Sequence, residues 1–350
     1  EPGRSALDAA EALAERLRSP GALARIAYLR GCLAFAGGDT PACAREHRRA
    51  LEQARLAGDQ VCEAHAHSGI ADVLYADGKM ASAHDAFARC VALCDRLGRL
   101  RDALTNRCMI GITAGYLCRL DVARQAIDEA RDAARTIGHR VAEVMADECA
   151  GLVFVDAGRL DEAREPLARS LALARRIESR RFAAIDLMLL ARIAREDGDD
   201  DAMAHHLAEA RALCETIGMR FAGGLLFGTE AIAARDAAAR SEAIARGEAL
   251  LREAPMAHNH LWFRRDAIRA SLDAGDWAGA VHHADALEAQ VRAEPTPWSA
   301  FHVAFGRTLA GAGAGRAGRR ELEAMRERAR TLARDGELPA IERALAASSA

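Results

Sequence analysis

Apolar residues follow the spacing of helix faces along most of the chain, in segments of about 14 to 18 residues that alternate with short polar turns. The stretch DAGRLDEAREPLARSLALAR, residues 156–175, is the clearest copy of this pattern. Hydrophobic residues make up 51% of the chain and aromatic residues only 4%, so that Ala and Leu supply most of the packing surface. The pattern therefore predicts an all-α protein whose helices pack closely through small side chains.

Turn residues recur every forty positions and set the length of a repeat. The first series is Gly38, Gly78, Cys118, Gly158 and Gly198. The second series lies between these positions and consists of Gly58, Gly98, Gly138, Glu178 and Gly218. Two interleaved series predict stacked helix-turn-helix units, in which the first helix ends at a first-series turn and the second helix follows that turn.

The forty-residue spacing is interrupted once. It shortens by three residues after position 238 and then resumes, because Gly275 and Gly315 are again forty apart. We place the shortening near the turn at residues 254–259, immediately before the stretch HNHLWFRRDAIRASLDAGDW at residues 258–277.

The spacing also predicts how the chain is divided. An array of about eight repeats covers residues 21–335 and is irregular at 236–258. Residues 1–20 fit the second helix of a preceding repeat whose first helix is absent, and residues 336–350 fit a capping helix and tail. We therefore expect the chain to be part of a longer protein.

Small residues mark the places where the two helices of a unit should touch. Seven residues before the first turn lie Gly31, Ala71, Gly111, Gly151, Ala191 and Ala231. Nine residues after that turn, four of the units carry Phe87, Ile127, Leu167 and Leu207. A small residue opposite a large apolar one predicts a close clasp between the first and second helices.

This arrangement resembles the tetratricopeptide repeat in a longer, forty-residue form, over nearly the whole chain. It differs from that family in lacking most of its large aromatic residues and the usual proline near the end of the second helix. The resemblance implies a right-handed superhelical solenoid in which the first helices line a concave surface.

A narrower resemblance covers HNHLWFRRDAIRASLDAGDWAGAVHHADALEAQVRAEPTPWS, residues 258–299. This stretch is similar to the C-terminal repeat region of bacterial proteins that join a class III adenylate or guanylate cyclase domain to an AAA-type ATPase. The chain contains no GxxxxGK[ST] phosphate loop and no metal-binding aspartate pair of a cyclase. The resemblance therefore implies a non-catalytic regulatory array without a cofactor, belonging to a signalling protein.

Net charge restricts the kinds of binding partner, and the cysteines indicate the cellular location. The formal net charge of −3 provides no global field for nucleic acid or an anionic membrane, and we expect binding to neither. Nine cysteines without a CxxC pair are typical of reduced, mostly buried thiols, which predicts a cytoplasmic location. The sequence HNH, at residues 258–260, has two histidines but no nearby third ligand, so we expect no metal site there.

The candidate binding residues lie at the inward-facing positions that the tetratricopeptide resemblance implies, which are 13, 10, 6 and 3 residues before the first turn. In the later repeats these positions predict an arginine-rich concave groove of Arg192, Arg195, Arg235, Trp262, Arg265 and Arg269. Secondary candidates in the earlier repeats are Tyr28, His65, Asp72 and Tyr75. Arginine can bind carboxylates in a bidentate manner, and Trp can anchor an apolar side chain.

Several interpretations stay open at the level of sequence. The groove is predicted to bind a protein or peptide with acidic groups, or another domain of the same polypeptide. Alternatively, its arginines pair with acidic residues such as Glu196, Asp236 and Asp266. The array could instead be the peptide-sensing part of a bacterial transcription regulator, and an enzyme site near His258–Asp266 is a third possibility.

Overall fold

The computed structural model describes residues 2–36, 38–253 and 256–348. Within these ranges the regular structure consists of 18 α-helices and one short 3-10 helix. The α-helices are α1 Pro2–Arg16, α2 Pro20–Ala36, α3 Thr40–Ala57, α4 Gln60–Ala76, α5 Met80–Arg96, α6 Leu100–Tyr116, α7 Leu120–Thr136, α8 Arg140–Ala157, α9 Leu160–Arg176, α10 Arg180–Asp197, α11 Asp200–Ile217, α12 Gly223–Ala233, α13 Ala237–Arg252, α14 His258–Asp273, α15 Trp277–Gln290, α16 Pro297–Gly313, α17 Arg319–Thr331 and α18 Leu338–Ala347. The 3-10 helix is Asp335–Glu337.

Both series of turns that the sequence predicted are present. All of their glycines adopt positive φ, with values from 66° to 88°. The two places in the series that lack glycine behave in the same way, because Cys118 has φ 55° and Glu178 has φ 56°. Each turn reverses the chain between consecutive antiparallel helices, so the predicted all-α solenoid is confirmed.

The predicted clasp between the helices of a unit is also confirmed. A Cβ added to Gly151 would lie 2.6 Å from Cγ of Leu167, and one added to Gly111 would lie 2.8 Å from Cδ1 of Ile127. In the first unit, the ring of His47 occupies the equivalent place against Gly31. The absence of a side chain at these positions lets the second helix approach the first.

The three-residue shortening lies earlier than the sequence spacing placed it. Helix α12 has only 11 residues, and α13 begins at Ala237 with Asp236 as its N-cap. A regular repeat following Asp200, where α11 begins, would start this helix three residues later. The shortening therefore falls in α12 and the turn after it, upstream of residues 254–259. That turn is capped by Asp236 and has no glycine, unlike most of the equivalent turns.

The solenoid has an inner and an outer layer of helices. The even-numbered helices from α2 to α16 are the first helices of the repeats, and neighbouring members contact each other along the array. The odd-numbered helices pack against them from the outside. The inner layer therefore contains the positions at which the sequence predicted a binding groove.

The array closes on itself after about four and a half repeats, an offset of about 180 residues. Arg220 donates to the carbonyl of Gly38, 182 residues away. Ser82, at the start of α5, donates its backbone N–H (2.9 Å) and its hydroxyl (2.5 Å) to the carboxylate of Glu294. The turns at Gly158 and Gly336 meet backbone against backbone.

This closure makes the molecule more compact than an open, extended solenoid. The accessible surface is 15460 Å² for a chain of 37.5 kDa. A globular monomer of this mass would expose about 13,700 Å². The small difference agrees with the contacts between distant repeats, which remove part of the surface that an open array would expose.

The clasp at Gly151 provides a test of the repeat geometry. We expect Gly151→Ala to destabilise the protein by about 1–3 kcal/mol, because overpacking against Leu167 outweighs the better helix propensity of Ala. Urea unfolding would measure the change. Gly21→Ala is the matched control, since its nearest neighbour, Cβ of Ala57, would lie at an ordinary 3.7 Å. A control variant as unstable as Gly151→Ala would contradict the clasp.

Candidate functional site

Two of the cavities on the concave face contain most of the predicted site residues, and we name them by their linings. The charged cavity has a volume of about 220 Å³ and lies between α8, α10, α14 and the 3-10 helix. Its charged lining includes Arg192, Arg195, Arg265, Arg269, Asp156, Glu196, Asp266, Asp335 and Glu337. It therefore brings together four of the five arginines predicted for the groove.

Asp156, near the end of α8, is the centre of this charge cluster. Its carboxylate accepts a hydrogen bond from Arg265 Nη1 at 2.6 Å and a bifurcated one from Trp298 Nε1, which lies 2.9 and 3.1 Å from the two carboxylate oxygens. Arg334 Nη1 forms a further charged hydrogen bond to the same carboxylate. Although burial opposes ionisation, the guanidiniums of Arg334 and Arg265 hold the pKa of Asp156 well below its usual range.

A second buried pair lies beside the first. Arg192 donates two hydrogen bonds of 2.9 Å to the carboxylate of Asp266, in a bidentate arrangement. Arg265 also donates to Asp266, at 2.8 Å, and so links the two carboxylates. Burial raises the pKa of Asp266, but Arg192 and Arg265 outweigh it, and the pKa is lowered. Both aspartates are therefore ionised and matched by arginine.

The remaining groove arginines are more accessible. Arg195 pairs with Glu196 and, at 3.0 Å, with Asp273, and its side chain is 25% exposed. Arg269 also pairs with Asp273, at 3.2 Å, and is 20% exposed. Arg235 lies apart from both, because α12 ends at Ala233 and leaves Arg235 in the following turn.

Arg235 and Asp236 show how the early end of α12 changes the predicted pattern. Arg235 is 68% exposed and pairs with Asp200 at the start of α11. Asp236 caps the N-terminus of α13 instead of pairing with an arginine of the groove. Glu196 and Asp266, the other two acids weighed as partners, do pair with arginines of the groove.

The aromatic cavity is the second cavity and has a volume of about 240 Å³. Three sequence-predicted residues, Asp72, Tyr75 and Trp262, meet in its wall. Trp262 is only 4% exposed and faces the interior of the array. The structure therefore divides the predicted groove between a charged cavity and an aromatic one.

Glu148 and Arg181 line the aromatic cavity but were not among the predicted site residues. Glu148 lies ten residues before the turn at Gly158, which is one of the inward-facing positions. The corresponding positions hold Tyr28, Ser68, Cys108 and Met188, and Arg265 before the turn at Gly275, so the signal was an isolated acidic residue in this series. For Asp156 the signal was similar, because the equivalent positions are Ala36, Ala76 and Tyr116 in the preceding repeats.

The other secondary candidates lie towards the N-terminal end. The rings of Tyr28 and His65 are stacked with centroids 5.3 Å apart. His65 Nε2 is also 3.4 Å from Asp102 Oδ2. Neither Tyr28 nor His65 lines the charged or the aromatic cavity.

The region around His258 and Asp266 does not form an open site. His258 is fully buried, its ring packs against Tyr75 and Trp262, and its Nε2 is 2.9 Å from the carbonyl oxygen of Phe221. Burial lowers the pKa of His258 to about 4. Asp266 points away towards Arg192, so the two residues contribute to different environments.

Glu248, His282 and His283 place potential metal ligands within 4.8 Å of one another. Arg264 already occupies this place, because it pairs with Glu248 and its Nη1 is 2.9 Å from His283 Nδ1. Burial, followed by the Arg264 guanidinium, lowers the pKa of His283 to about 4. A metal ion would have to displace the guanidinium. The side chain of His282 is exposed, whereas His283 is buried, with only 3% of the residue's surface accessible.

The cysteines agree with the sequence expectation that they are mostly buried thiols. All nine cysteines have free thiols, and seven of them are buried, including Cys90 and Cys94. Across the described helices, none combines the length and apolar character that crossing a membrane requires.

Comparison with known proteins gives little beyond the fold. No protein-family model matches the chain, and no curated protein matches it. Among solved structures it is similar to a "Circular tandem repeat protein with novel repeat topology and enhanced subunit contact surfaces", at 14% identity and a TM-score of 0.22. That match covers 93% of this chain and 88% of that chain. At this score the similarity carries no argument, and the fold rests on the helices and turns described above.

Asp156 allows a direct test of the charge cluster. We expect Asp156→Asn to lower the free energy of unfolding by about 3–5 kcal/mol, because Arg334 would stay buried without its paired carboxylate and Arg265 would keep only Asp266, which it shares with Arg192. Asp95→Asn is the control, since Asp95 forms an exposed pair with Arg107 and its loss should change stability by about 1 kcal/mol or less. Equal effects of the two variants in urea unfolding would contradict the role given to Asp156.

The burial of Glu148 leads us to expect an unusual dependence of the protein's stability on pH. Burial, partly offset by Arg181, raises its pKa to about 8, whereas an unfolded Glu has a pKa of about 4.3. The folded state therefore retains a proton that the unfolded state has lost, and the contribution of Glu148 to stability decreases as pH rises from about 4 to about 8. Glu148→Gln should raise the Tm at pH 8 by about 2–4 °C and have little effect at pH 4. The same Tm difference at both pH values would refute this assignment.

Proposed function

We propose that this chain is a non-catalytic regulatory array that binds a protein partner through its concave face. The carrying observation is the charged cavity, in which inner helices from distant repeats present Arg195 and Arg269 with part of each side chain exposed. Solenoids commonly use their concave surfaces for binding. Arg192 and Arg265 are held in buried ion pairs. In this proposal they therefore form part of the wall of the groove and do not bind the partner.

The partner in this proposal carries acidic groups. Arg195 and Arg269 share Asp273, and Arg195 also pairs with Glu196, so an acidic group of the partner would replace one of these carboxylates at the edge of the cavity. Arg235 adds an exposed cation at the rim of the array. A carboxylate from a peptide or from another domain could form bidentate hydrogen bonds with either of the first two arginines.

The parent protein in this proposal is a bacterial cyclase-ATPase signalling protein, with the array as its C-terminal sensory part in the cytoplasm. The similarity of residues 258–299 to that family is the support for it. Sequencing the complete gene is the test. Cyclase and ATPase domains encoded upstream would support the proposal, whereas a helix-turn-helix DNA-binding domain would replace it with the transcription-regulator alternative.

The groove is tested by charge reversal. We expect Arg195→Glu, Arg235→Glu and Arg269→Glu, combined in one variant, to abolish binding to the separately expressed upstream domains, as measured by calorimetry. Helix content, measured by circular dichroism, should stay unchanged. The matched control reverses three exposed arginines of the outer helices, Arg96, Arg176 and Arg252, and should bind as the wild type does. Unchanged affinity in the groove variant would eliminate the groove proposal.

A further inference from the structure

The charged groups that line the aromatic cavity are mismatched in number, because Asp72 and Glu148 face one cation, Arg181, among the described residues of the lining. The amide oxygen of Asn106 is a further acceptor. Ser68, Tyr75 and Thr105 also line the cavity, and their hydroxyls can donate as well as accept. Glu148 is 6% exposed and Asn106 is 5% exposed. Buried polar groups in folded proteins are normally paired, so any acceptor left unpaired at this cavity wall requires explanation.

Two of these acceptors have no partner within the described part of the chain. Oε2 of Glu148 and Oδ1 of Asn106 are both buried and make no hydrogen bond. The Asn106 amide is oriented by its other end, because Nδ2 donates to the carbonyl of Asp102 at 3.0 Å. The carboxylate and the amide oxygen therefore stay available to a donor inside the cavity.

Arg181 cannot satisfy these groups by itself. Its guanidinium lies over the rings of Phe182 and Phe221, at 4.6 and 4.9 Å from their centroids. The residue is exposed, which places it at the mouth of the cavity. Burial raises the pKa of Glu148 to about 8 and keeps it protonated at neutral pH, and a cation bound beside it would favour its ionised form. With Asp72 and Glu148 both ionised in this way, the cavity would carry one negative charge in excess of Arg181.

Aromatic and apolar side chains form the rest of the wall. Tyr75 and Trp262 are buried, and Phe35 and Met109 line the same space. Aromatic faces attract an organic cation that has lost its water. Among the described residues of this wall, only Asp72 and Glu148 are carboxylates, and the many aromatic and apolar side chains favour an organic cation over a metal ion. The volume of about 240 Å³ suits a small molecule or a single side chain.

From this combination we infer that the aromatic cavity binds a primary ammonium group attached to an apolar body, with Glu148, Asp72 and Asn106 accepting its hydrogen bonds. A primary ammonium offers three donors and one positive charge, which can satisfy the unpaired oxygens of Glu148 and Asn106 and balance the second carboxylate. The apolar body lies against Tyr75 and Trp262. The ammonium belongs either to a free amine or to the N-terminus of a peptide.

The site does not depend on the partner proposed for the charged cavity. Its polar groups come from α4, α6, α8 and α10, and none of them is an arginine of the groove. The variant with Arg195, Arg235 and Arg269 reversed to Glu should therefore keep its amine affinity. Failure of partner binding and failure of amine binding are consequently separate results.

A series of probes with one apolar body tests the sign of the charge. Calorimetry on the wild-type chain would compare 2-phenylethylamine, 2-phenylethanol and 3-phenylpropanoate. We expect the amine to bind at least tenfold more tightly than the neutral and the anionic probe, a difference of about 1.4 kcal/mol or more. Preference for 3-phenylpropanoate would make Arg181 the anchor and overturn the proposal, as would equal affinities or no binding of the amine.

Variants then assign the acceptors. Glu148→Gln should weaken binding of 2-phenylethylamine at least tenfold and leave binding of 2-phenylethanol unchanged. Glu129→Gln, on the outer helix α7, is the matched control and should bind as the wild type does. Unchanged amine affinity in a folded Glu148→Gln variant would contradict the assignment.

Binding measurements with peptides distinguish the two sources of the ammonium. The tripeptide Phe-Ala-Ala would be compared with its N-acetylated form, which has the same side chain but no ammonium. Tighter binding of the free tripeptide than of 2-phenylethylamine would identify a peptide N-terminus as the ligand. Binding of the small amine alone would identify a free amine, whereas equal binding of both tripeptides would overturn the proposal.

Discussion

The carboxylate of Asp156 joins parts of the chain that are far apart in sequence, and the closed form of the array depends on it. Its partners Arg265, Trp298 and Arg334 lie 109, 142 and 178 residues away. They come from α14, α16 and the turn after α17, which all belong to the later repeats. An ionised carboxylate in this place can be buried only because these donors surround it, and the donors in turn need the carboxylate. The contact therefore fixes where the second half of the solenoid is seated on the first.

Both cavities are consequences of that seating. The charged cavity lies where α8 and α10 face α14 and the 3-10 helix, so its arginines are held between acids from two halves of the array. In the aromatic cavity, Trp262 of α14 covers residues of the earlier inner helices. An open solenoid would expose the same residues to water on a broad surface. Closure instead produces enclosed sites in which unpaired polar groups are costly and a matching ligand is favoured.

Sequence spacing predicted the repeat because each turn and each clasp is local. A residue with positive φ is needed every forty positions, and even the two substitutions of glycine, at Cys118 and Glu178, kept the register. The clasp between Gly151 and Leu167 likewise depends on one unit alone. The shortening near α12 was misplaced because Asp236 provides its turn without a glycine.

The contents of the concave face were predictable only in part. The inward-facing positions identified Arg192, Arg265 and Trp262, but not that Asp156 would meet Arg265 across the superhelix. That pairing depends on the curvature of the array, which is the sum of a small rotation at every repeat. Glu148 and Arg181 were missed because their importance comes from a cavity that forms only after closure.

Small-angle X-ray scattering of the purified chain tests closure most directly, since it measures overall dimensions without a variant or a ligand. A closed array should have a radius of gyration of about 20–23 Å, close to that of a globular chain of this length. Its distribution of interatomic distances should have a single maximum. A radius of gyration of about 30 Å or more, well beyond the globular value, with the long tail of an extended superhelix, would contradict the account.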